Sequence, residues 1–231
     1  MRILLFTYRE IKWILSAYDV LHKKYWDEPY TLIAEEDYLG SGDFIKPPFE
    51  GDTIHGGSYH EVMRWTLNEI QDDFVLIMCA DYLIYNPVRK DVIEQIIEYM
   101  TENPTVLRAQ IGNNSGVIQR ATKTDEYKEI AIFEHNFLPT SLTPGLWNRK
   151  LLIDLMSKMS GSNTAWDVEL RGRDVYPNTG YRSLGVTPEP MQYINALRGR
   201  DNNKMVITQN VYNDVKEFIP DNMELPDWIV R

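Results

Sequence analysis

The sequence predicts an α/β fold: a mostly parallel sheet with helices packed on both faces. Three observations carry this. Ile3-Leu4-Leu5-Phe6, Tyr30-Thr31-Leu32-Ile33-Ala34 and Phe74-Val75-Leu76-Ile77-Met78-Cys79-Ala80 are short, almost unbroken apolar runs. Strands buried on both faces read this way, because neither side needs polar residues. Between and after them come stretches with a helical period. The resulting βαβαβα order implies a parallel sheet with right-handed crossovers.

Each element follows from its own pattern. After the first run, Ile11, Ile14, Leu15, Tyr18, Leu21, His22 and Tyr25 recur at helical spacing. The second strand leads into residues 37–48, where Gly40, Gly42, Pro47 and Pro48 predict a loop. Val62, Trp65, Thr66 and Ile70 mark a helix over 59–70. The run from Phe74 is the most apolar of the chain and is expected to be the central strand, with Asp81 at its C-terminal end. Val92, Ile93, Ile96, Ile97 and Met100 mark a third helix that ends before Pro104. Beyond residue 105 the regularity fades. Thr105 to Ala109, Gly116 to Arg120 and Glu129 to Phe133 read as shorter strands, Trp147 to Met159 as a helix, and Asp167 to Arg171 as a short helical turn.

Composition narrows the classes. The 231 residues carry a formal charge of −10, with 43% hydrophobic and 25% charged residues, the balance of a globular domain. At about 150 residues per domain, and with neither linker nor repeat, one domain over 1–231 is expected. A lone cysteine, Cys79, excludes a disulfide scaffold and points to a reducing compartment. No apolar run approaches the ~20 residues of a membrane span. Thr7 and Arg9 cut the N-terminal apolar run short of a signal segment, so the expected location is cytoplasmic. The acidity argues against nonspecific nucleic-acid binding over the whole surface, though not against a local basic patch.

In an open parallel sheet a ligand sits beyond the C-terminal strand ends, where the strand order reverses. Those ends supply Thr7, Tyr8 and Arg9, then Glu35, Glu36 and Asp37, then Asp81 and Tyr82. An aromatic ring and an arginine suit a nucleobase and a phosphate. A carboxylate at the central strand suits a divalent cation or a ribose hydroxyl, or else caps a loop. Thr7-Tyr8-Arg9-Glu10 contains no glycine, which excludes both the dinucleotide fingerprint and the P-loop. Neither a GxSxG elbow nor a CxxC or HExxH pattern occurs. His22 lies on an apolar helix face and reads as core. His55 and His60 flank Gly56-Gly57 in what reads as a solvated loop, and His135 stands apart.

The second half offers Ser141-Leu142-Thr143-Pro144-Gly145-Leu146-Trp147 and, further on, Trp166-Asp167-Val168-Glu169. Acids two residues apart cannot share one helix face, so one can enter a site while the other makes a structural bond. Trp147 and Trp166 suit either a sugar platform or core packing. Between 171 and 204 six bases (Arg171, Arg173, Arg182, Arg198, Arg200 and Lys204) face three acids, a net +3 inside an acidic chain. Such a run is either a solvated face or a phosphate site, with Gly199 between Arg198 and Arg200 allowing close backbone approach.

Taken in order, these segments resemble bacterial and phage glycosyltransferases of the single Rossmann-like fold called GT-A. Phe6-Thr7-Tyr8-Arg9 resembles the opening strand motif. The run Asp73 to Tyr82 with Asn86-Pro87-Val88 resembles the central strand, acidic motif and exit. Ser141 to Asn148 resembles S-L-Q-P-x-x-W-N, Trp166 to Glu169 resembles W-E-x-E, and Gln192 to Gly199 resembles Y-I-N-x-x-x-x-G. The resemblance implies a nucleotide-binding half over 1–104 and an acceptor-side half, elaborated, over 105–231. It implies transfer of a sugar from a nucleotide-diphosphate sugar, foremost a UDP-sugar, to an acceptor hydroxyl with inversion. Thr7, Tyr8, Arg9 and Asp81 would bind the donor, Arg198 and Arg200 the diphosphate or an acceptor phosphate, and Trp147 and Trp166 the acceptor sugar. Asp167, matching the family's first acid, is the first choice for general base, and Glu169 the second.

Where the family shows two adjacent acids or D-x-D, this chain has Ala80-Asp81-Tyr82. Leaving-group charge would therefore fall to Mn²⁺ or Mg²⁺ held by Asp81 alone, to arginine or lysine, or to both. The acceptor implied is a glycan or a hydroxymethylated DNA base, the latter as in DNA modification by phage members of the fold. The competing classes are a nucleotidyltransferase, which normally needs the glycine loop missing here, and a non-catalytic nucleotide-sugar-binding module.

Overall fold

The computed structural model describes residues 1–7, 9–39, 43–48, 59–112, 118–119, 121–135, 139–159, 164–201, 204–207, 212–214 and 216–218. Five helices are used below: α1 (Leu15–Tyr25), α2 (Tyr59–Glu69), α3 (Lys90–Glu102), α4 (Arg149–Ser157) and α5 (Ala165–Val175). The strands are β1 (Arg2–Phe6), β2 (Tyr30–Ile33), β3 (Phe44–Ile45), β4 (Phe74–Cys79), β5 (Tyr82–Ile84), β6 (Val106–Gln110), β7 (Thr122–Tyr127), β8 (Ile130–Glu134), β9 (Gly145–Asn148), β10 (Arg182–Thr187), β11 (Tyr193–Asn195), β12 (Leu197–Asp201) and β13 (Lys204–Ile207).

Nine strands form one sheet in the order β3-β2-β1-β4-β9-β6-β10-β8-β7. β9 and β8 run against the other seven, so the sheet is mixed but mostly parallel in direction. β1 and β4 pair in parallel with Phe6 opposite Cys79. The chain steps outward from β1 to β2 and β3, then returns to β4 on the other side of β1. That reversal between β1 and β4 is the switch point at which such sheets bind ligands.

The core follows the apolar runs. Ile3, Leu4, Leu5 and Phe6 of β1 and Val75, Leu76, Ile77 and Met78 of β4 are all buried, each worth about 1.5–3 kcal/mol relative to an exposed side chain. α3 turns Val92, Ile93, Ile96, Tyr99 and Met100 inward. One contiguous cluster of buried apolar side chains runs from β1 to Ala196.

The three N-terminal strands and their helices stand where the sequence predicts them. The second half differs in several places. Residues 145–148 are not the start of a helix: Gly145–Asn148 is β9, inserted antiparallel between β4 and β6, and α4 begins at Arg149. Asn148 accepts from Leu151 N at 3.2 Å and caps that helix. Ile118 and Gln119 sit in a helical turn rather than a strand, and the rest of 116–120 lies outside the described residues, apart from those two. The segment at 167–171 is not an isolated turn but part of α5, three turns long, closed at its start by Thr164. β7, β10 and the β5–β11 ribbon carry too few apolar residues, or too short a run, for patterning to mark them. β7 (TKTDEY) is a polar, exposed edge strand. The loop at 37–48 also yields β3, two residues added to the edge at β2.

α5 lies against the segment before β9, and the contact is close. Val168 and Gly172 are its buried positions. A Cβ built on Gly172 would stand 2.7 Å from Cβ, Cγ2 and Oγ1 of buried Thr140. Helix propensity alone predicts that Gly172→Ala stabilises the chain by about 1 kcal/mol. The contact predicts the opposite, a loss of about 1–3 kcal/mol in denaturant unfolding; a stabilised variant would contradict the packing described.

Candidate functional site

Four segments converge at the C-terminal ends of β1 and β4. Thr7 N donates to Ile33 O at 3.1 Å and Ala80 N to Phe6 O at 3.0 Å, so Thr7, Ala80 and Asp81 leave the sheet side by side. β9 pairs Gly145 with Ile77, which carries residues 141–144 to the same edge. Ala196 N donates to Asp81 O at 2.7 Å, tying the end of β11 to the acidic motif. α5 closes the group from the side of residue 140, where Thr140 Oγ1 donates to Glu169 O at 2.9 Å.

Asp81 is 8% exposed. Burial pushes its carboxyl up to about 7, against a hydrogen bond from its own backbone amide. Tyr82 follows it and meets the Tyr193 ring edge to face at 5.0 Å. The Cys79 thiol and the Tyr82 and Tyr59 hydroxyls are all pushed up, first by burial. Both Asp81 and Glu169 act on Cys79 and on Tyr82 in the same direction. The two carboxyls, from opposite halves of the chain, therefore share these neighbours.

Glu169 is anchored by one oxygen. Its Oε1 accepts from Leu142 N at 2.6 Å and from Ser141 Oγ at 3.1 Å. Among the described residues no hydrogen bond reaches Oε2. Burial raises the carboxyl, and those two donors and the Arg108 charge oppose the rise. Asp167 is placed differently. Its Oδ2 accepts from Thr164 N at 3.0 Å and Thr164 Oγ1 at 2.9 Å, while its own N–H donates to Thr164 Oγ1 at 3.1 Å. That is a reciprocal capping box, the structural use of an acid at this helical position. The first choice for the base thus closes the helix, while the second bonds to residues 141 and 142 beside the end of β4.

The tryptophans divide as well. Trp147 is 1% exposed, inside the core on β9, which removes it from any acceptor surface. Trp166 is 64% exposed. It precedes Glu169 by three residues on α5 and so lies on the same side of the helix.

Tyr8, His55 and Gly56-Gly57 lie outside the described residues, as do the side chains of Arg9, Arg198 and Arg200. Arg9 opens a 3₁₀ stretch, Arg9–Ile14, right after β1. Arg198 and Arg200 stand on β12, which pairs antiparallel with β13. His22 is core, as expected: it is 1% exposed, its Nε2 meets Glu28 O at 2.7 Å, and burial lowers its pKa. His60 does not sit in a solvated loop. It belongs to α2, is buried, and its Nε2 meets Met156 O at 2.8 Å.

Arg108 was missed. It is fully buried on β6, over the Trp147 ring at 5.2 Å. Its Nη2 donates to Thr143 O at 3.0 Å and Thr143 Oγ1 at 2.8 Å. Burial pushes this guanidinium down to about 10. The signal was a lone cation inside an otherwise strand-like Val-Leu-Arg-Ala-Gln run. Among the described residues no group of three or more His, Cys, Asp or Glu is arranged to hold a metal ion.

No family model and no curated protein sequence matches this chain. Solved structures do. S. aureus TarS, residues 1–349, is similar at 15% identity and a TM-score of 0.50, over 84% of this chain and 59% of that one. The mannosyltransferase PcManGT from Pyrobaculum calidifontis, solved with GDP-Man and Mn²⁺, is similar at 14% identity and a TM-score of 0.50, over 86% of this chain and 57% of that one. The chain thus spans less than two thirds of either protein's length. The likeness shows the fold: an α/β arrangement with a mixed, mostly parallel sheet flanked by helices, of the GT-A type. No helix among the described residues is long and apolar enough to cross a membrane.

The pH behaviour of Asp81 is testable without substrate. Its carboxyl lies at about 7 in the folded chain against 3.8 for the free group. A raised carboxyl favours the folded state while protonated, so that contribution is complete below about pH 4 and is lost as pH rises through about 7. Relative to Asp81→Asn, the wild-type chain should lose stability across this window, by an order of 4 kcal/mol. Denaturant unfolding of both proteins from pH 4 to 8 measures it; parallel curves would contradict the burial of this carboxyl.

Proposed function

We propose that the chain transfers a sugar from a nucleoside diphosphate sugar to an acceptor hydroxyl. The observation that carries this reading is a pair of carboxyls near the sheet's switch point, Asp81 buried and Glu169 half-buried, whose fields both reach Cys79 and Tyr82. The fold is that of a mannosyltransferase solved with GDP-Man and Mn²⁺. The donor nucleotide is assigned to Thr7, Tyr8, Arg9 and Asp81, with Arg198 and Arg200 toward phosphate. A UDP-sugar is the first donor to try. Thr7-Tyr8-Arg9-Glu10 supplies no glycine loop to cradle a triphosphate, which disfavours the nucleotidyltransferase reading.

The donor set fits a divalent cation only in part, and in a familiar way. One hard carboxylate suits Mn²⁺ or Mg²⁺ when diphosphate oxygens and water complete the shell. Asp81 would hold the ion, whose charge would neutralise the departing diphosphate. Asp81 must lose its proton to do so, and its raised pKa makes the affinity climb through neutral pH.

The proton is the task of Glu169. Oε1 is fixed by Leu142 N and Ser141 Oγ, leaving Oε2 to face an acceptor hydroxyl. As that hydroxyl's oxygen bonds to the anomeric carbon, its proton passes to Glu169. The bond from the anomeric carbon to the diphosphate oxygen breaks, and the nucleoside diphosphate leaves with its electron pair. A raised pKa suits a base that works near neutrality. Trp166, exposed one turn before Glu169, supplies an apolar face for the acceptor sugar. A glycan is the acceptor this platform suits. A hydroxymethylated DNA base is the rival, supported by the +3 segment over 171–204.

Mass spectrometry after incubation with a panel of nucleotide sugars, glycans and hydroxymethylated DNA, with and without Mn²⁺, tests the activity. Glu169→Gln should lower kcat by about 10²–10⁴-fold with donor affinity near wild type. Asp167→Ala should leave kcat within a few-fold and cost about 1 kcal/mol of stability through the lost cap. The reverse result would return the base to Asp167.

A further inference from the structure

Arg108 has no place in the chemistry above, yet its guanidinium is fully buried. Trp147, its cross-strand neighbour on β9, lies under the guanidinium at 5.2 Å. Gly145 lies against its Nε, where a Cβ would stand at 2.8 Å. Thr143 O accepts from Nη2 at 3.0 Å, and Gln110 Oε1 lies 3.5 Å from Nη1. All its hydrogen-bond partners among the described residues are neutral. Burying a cation this way costs several kcal/mol unless a carboxylate's field reaches it.

A chain of hydroxyls makes that connection. Arg108 Nη2 donates to Thr143 Oγ1 at 2.8 Å. Thr143 Oγ1 and Ser141 Oγ are 3.3 Å apart. Ser141 Oγ is 3.1 Å from Glu169 Oε1. The proton order is fixed by the two ends. A guanidinium only donates and a carboxylate only accepts. Each hydroxyl has one hydrogen, so when Ser141 donates to an ionised Glu169 its contact with Thr143 is a hydrogen bond only with Thr143 as the donor. Every dipole in the chain then points its positive end at the carboxylate, and aligned hydrogen bonds polarise one another.

We propose that Arg108 is a positioning residue for Glu169, acting through the Thr143 and Ser141 hydroxyls to hold that carboxylate ionised and fixed by Oε1. The relay rests on the reading of Glu169 as the base only for its catalytic consequence; its effect on the carboxyl stands apart. The other groups around Glu169 do not replace it. Tyr59 on α2, Cys79 on β4 and Tyr82 on β5 are all pushed toward their neutral forms. Asp81 opposes ionisation of Cys79 and Tyr82, and His60 is turned to the Met156 carbonyl. Asp167, on the same helix, is closed on Thr164.

The test is a carboxyl-carbon NMR titration of the full chain with ¹³C-labelled glutamate, Glu169 being assigned by its loss in Glu169→Gln. Thr143→Val deletes the middle hydroxyl, and with it one hydrogen bond of Arg108, but leaves the Arg108 and Glu169 side chains in place and keeps the carbonyl that holds the guanidinium. It should raise the Glu169 midpoint by about one pH unit, while Thr143→Ser restores the wild-type midpoint. The acid limb of the kcat profile should move by the same amount. Thr143→Ala serves if the valine variant does not fold. An unmoved midpoint, with or without a drop in melting temperature, would overturn the relay. A shifted midpoint in a protein that shows no sugar transfer would leave the relay standing and sink the base instead.

Discussion

Glu169 Oε1 accepts at once from a backbone amide and a hydroxyl of the segment before β9. This pair of bonds fastens α5 to the sheet edge at which β4 ends. It depends in turn on β9 entering the sheet against the grain, between β4 and β6. Because β9 is antiparallel to β4, its N-terminal end lies beside β4's C-terminal end. Residues 141–144 thus lie at the edge where Asp81 leaves the sheet, although some sixty positions separate them in the chain. Had β9 been parallel, the same motif would have landed on the opposite edge, away from the switch point.

The two carboxyls are perturbed for one shared reason, loss of water. Asp81 has little besides its own amide to offset burial, so it rises to about 7. Glu169 is half-buried and answered by two donors and a nearby guanidinium, so its rise is opposed. Two acids whose surroundings separate their protonation behaviour are suited to different tasks, one toward a cation or phosphate and one toward a proton. A net charge of −10 over the whole chain says nothing about this. The electrostatics that matter are local and come from what is buried.

Much of this was legible in the sequence, and the reason for each success or failure is physical. β1, β2, β4 and their helices were readable because a strand covered on both faces must be apolar throughout. Asp81 was readable as the first polar residue after the most apolar run. β9 was not, because Gly-Leu-Trp-Asn is too short to show a period and merges into the helix that follows. Spacing does not rank Asp167 and Glu169, since it says only that they face apart, and the resemblance alone put Asp167 first. The capping box at Thr164 ranks them, and Thr164 lies three residues before Asp167, where the pattern could have been sought. Trp147 and Trp166 are the same residue type in comparable motifs, and only topology makes one core and the other surface. Arg108 carried a visible signal, a charge within a strand, but it stands alone, away from the strand ends and from the basic run after residue 171.

The central claim is that the ends of β1 and β4, at Asp81, form the donor site. A crystal structure of the chain grown with a nucleoside diphosphate and Mn²⁺ tests it most directly. The expected result is nucleotide density at the ends of β1 and β4, with the metal beside the Asp81 carboxylate. A nucleotide seated elsewhere on the molecule, or a metal that avoids Asp81, would contradict it.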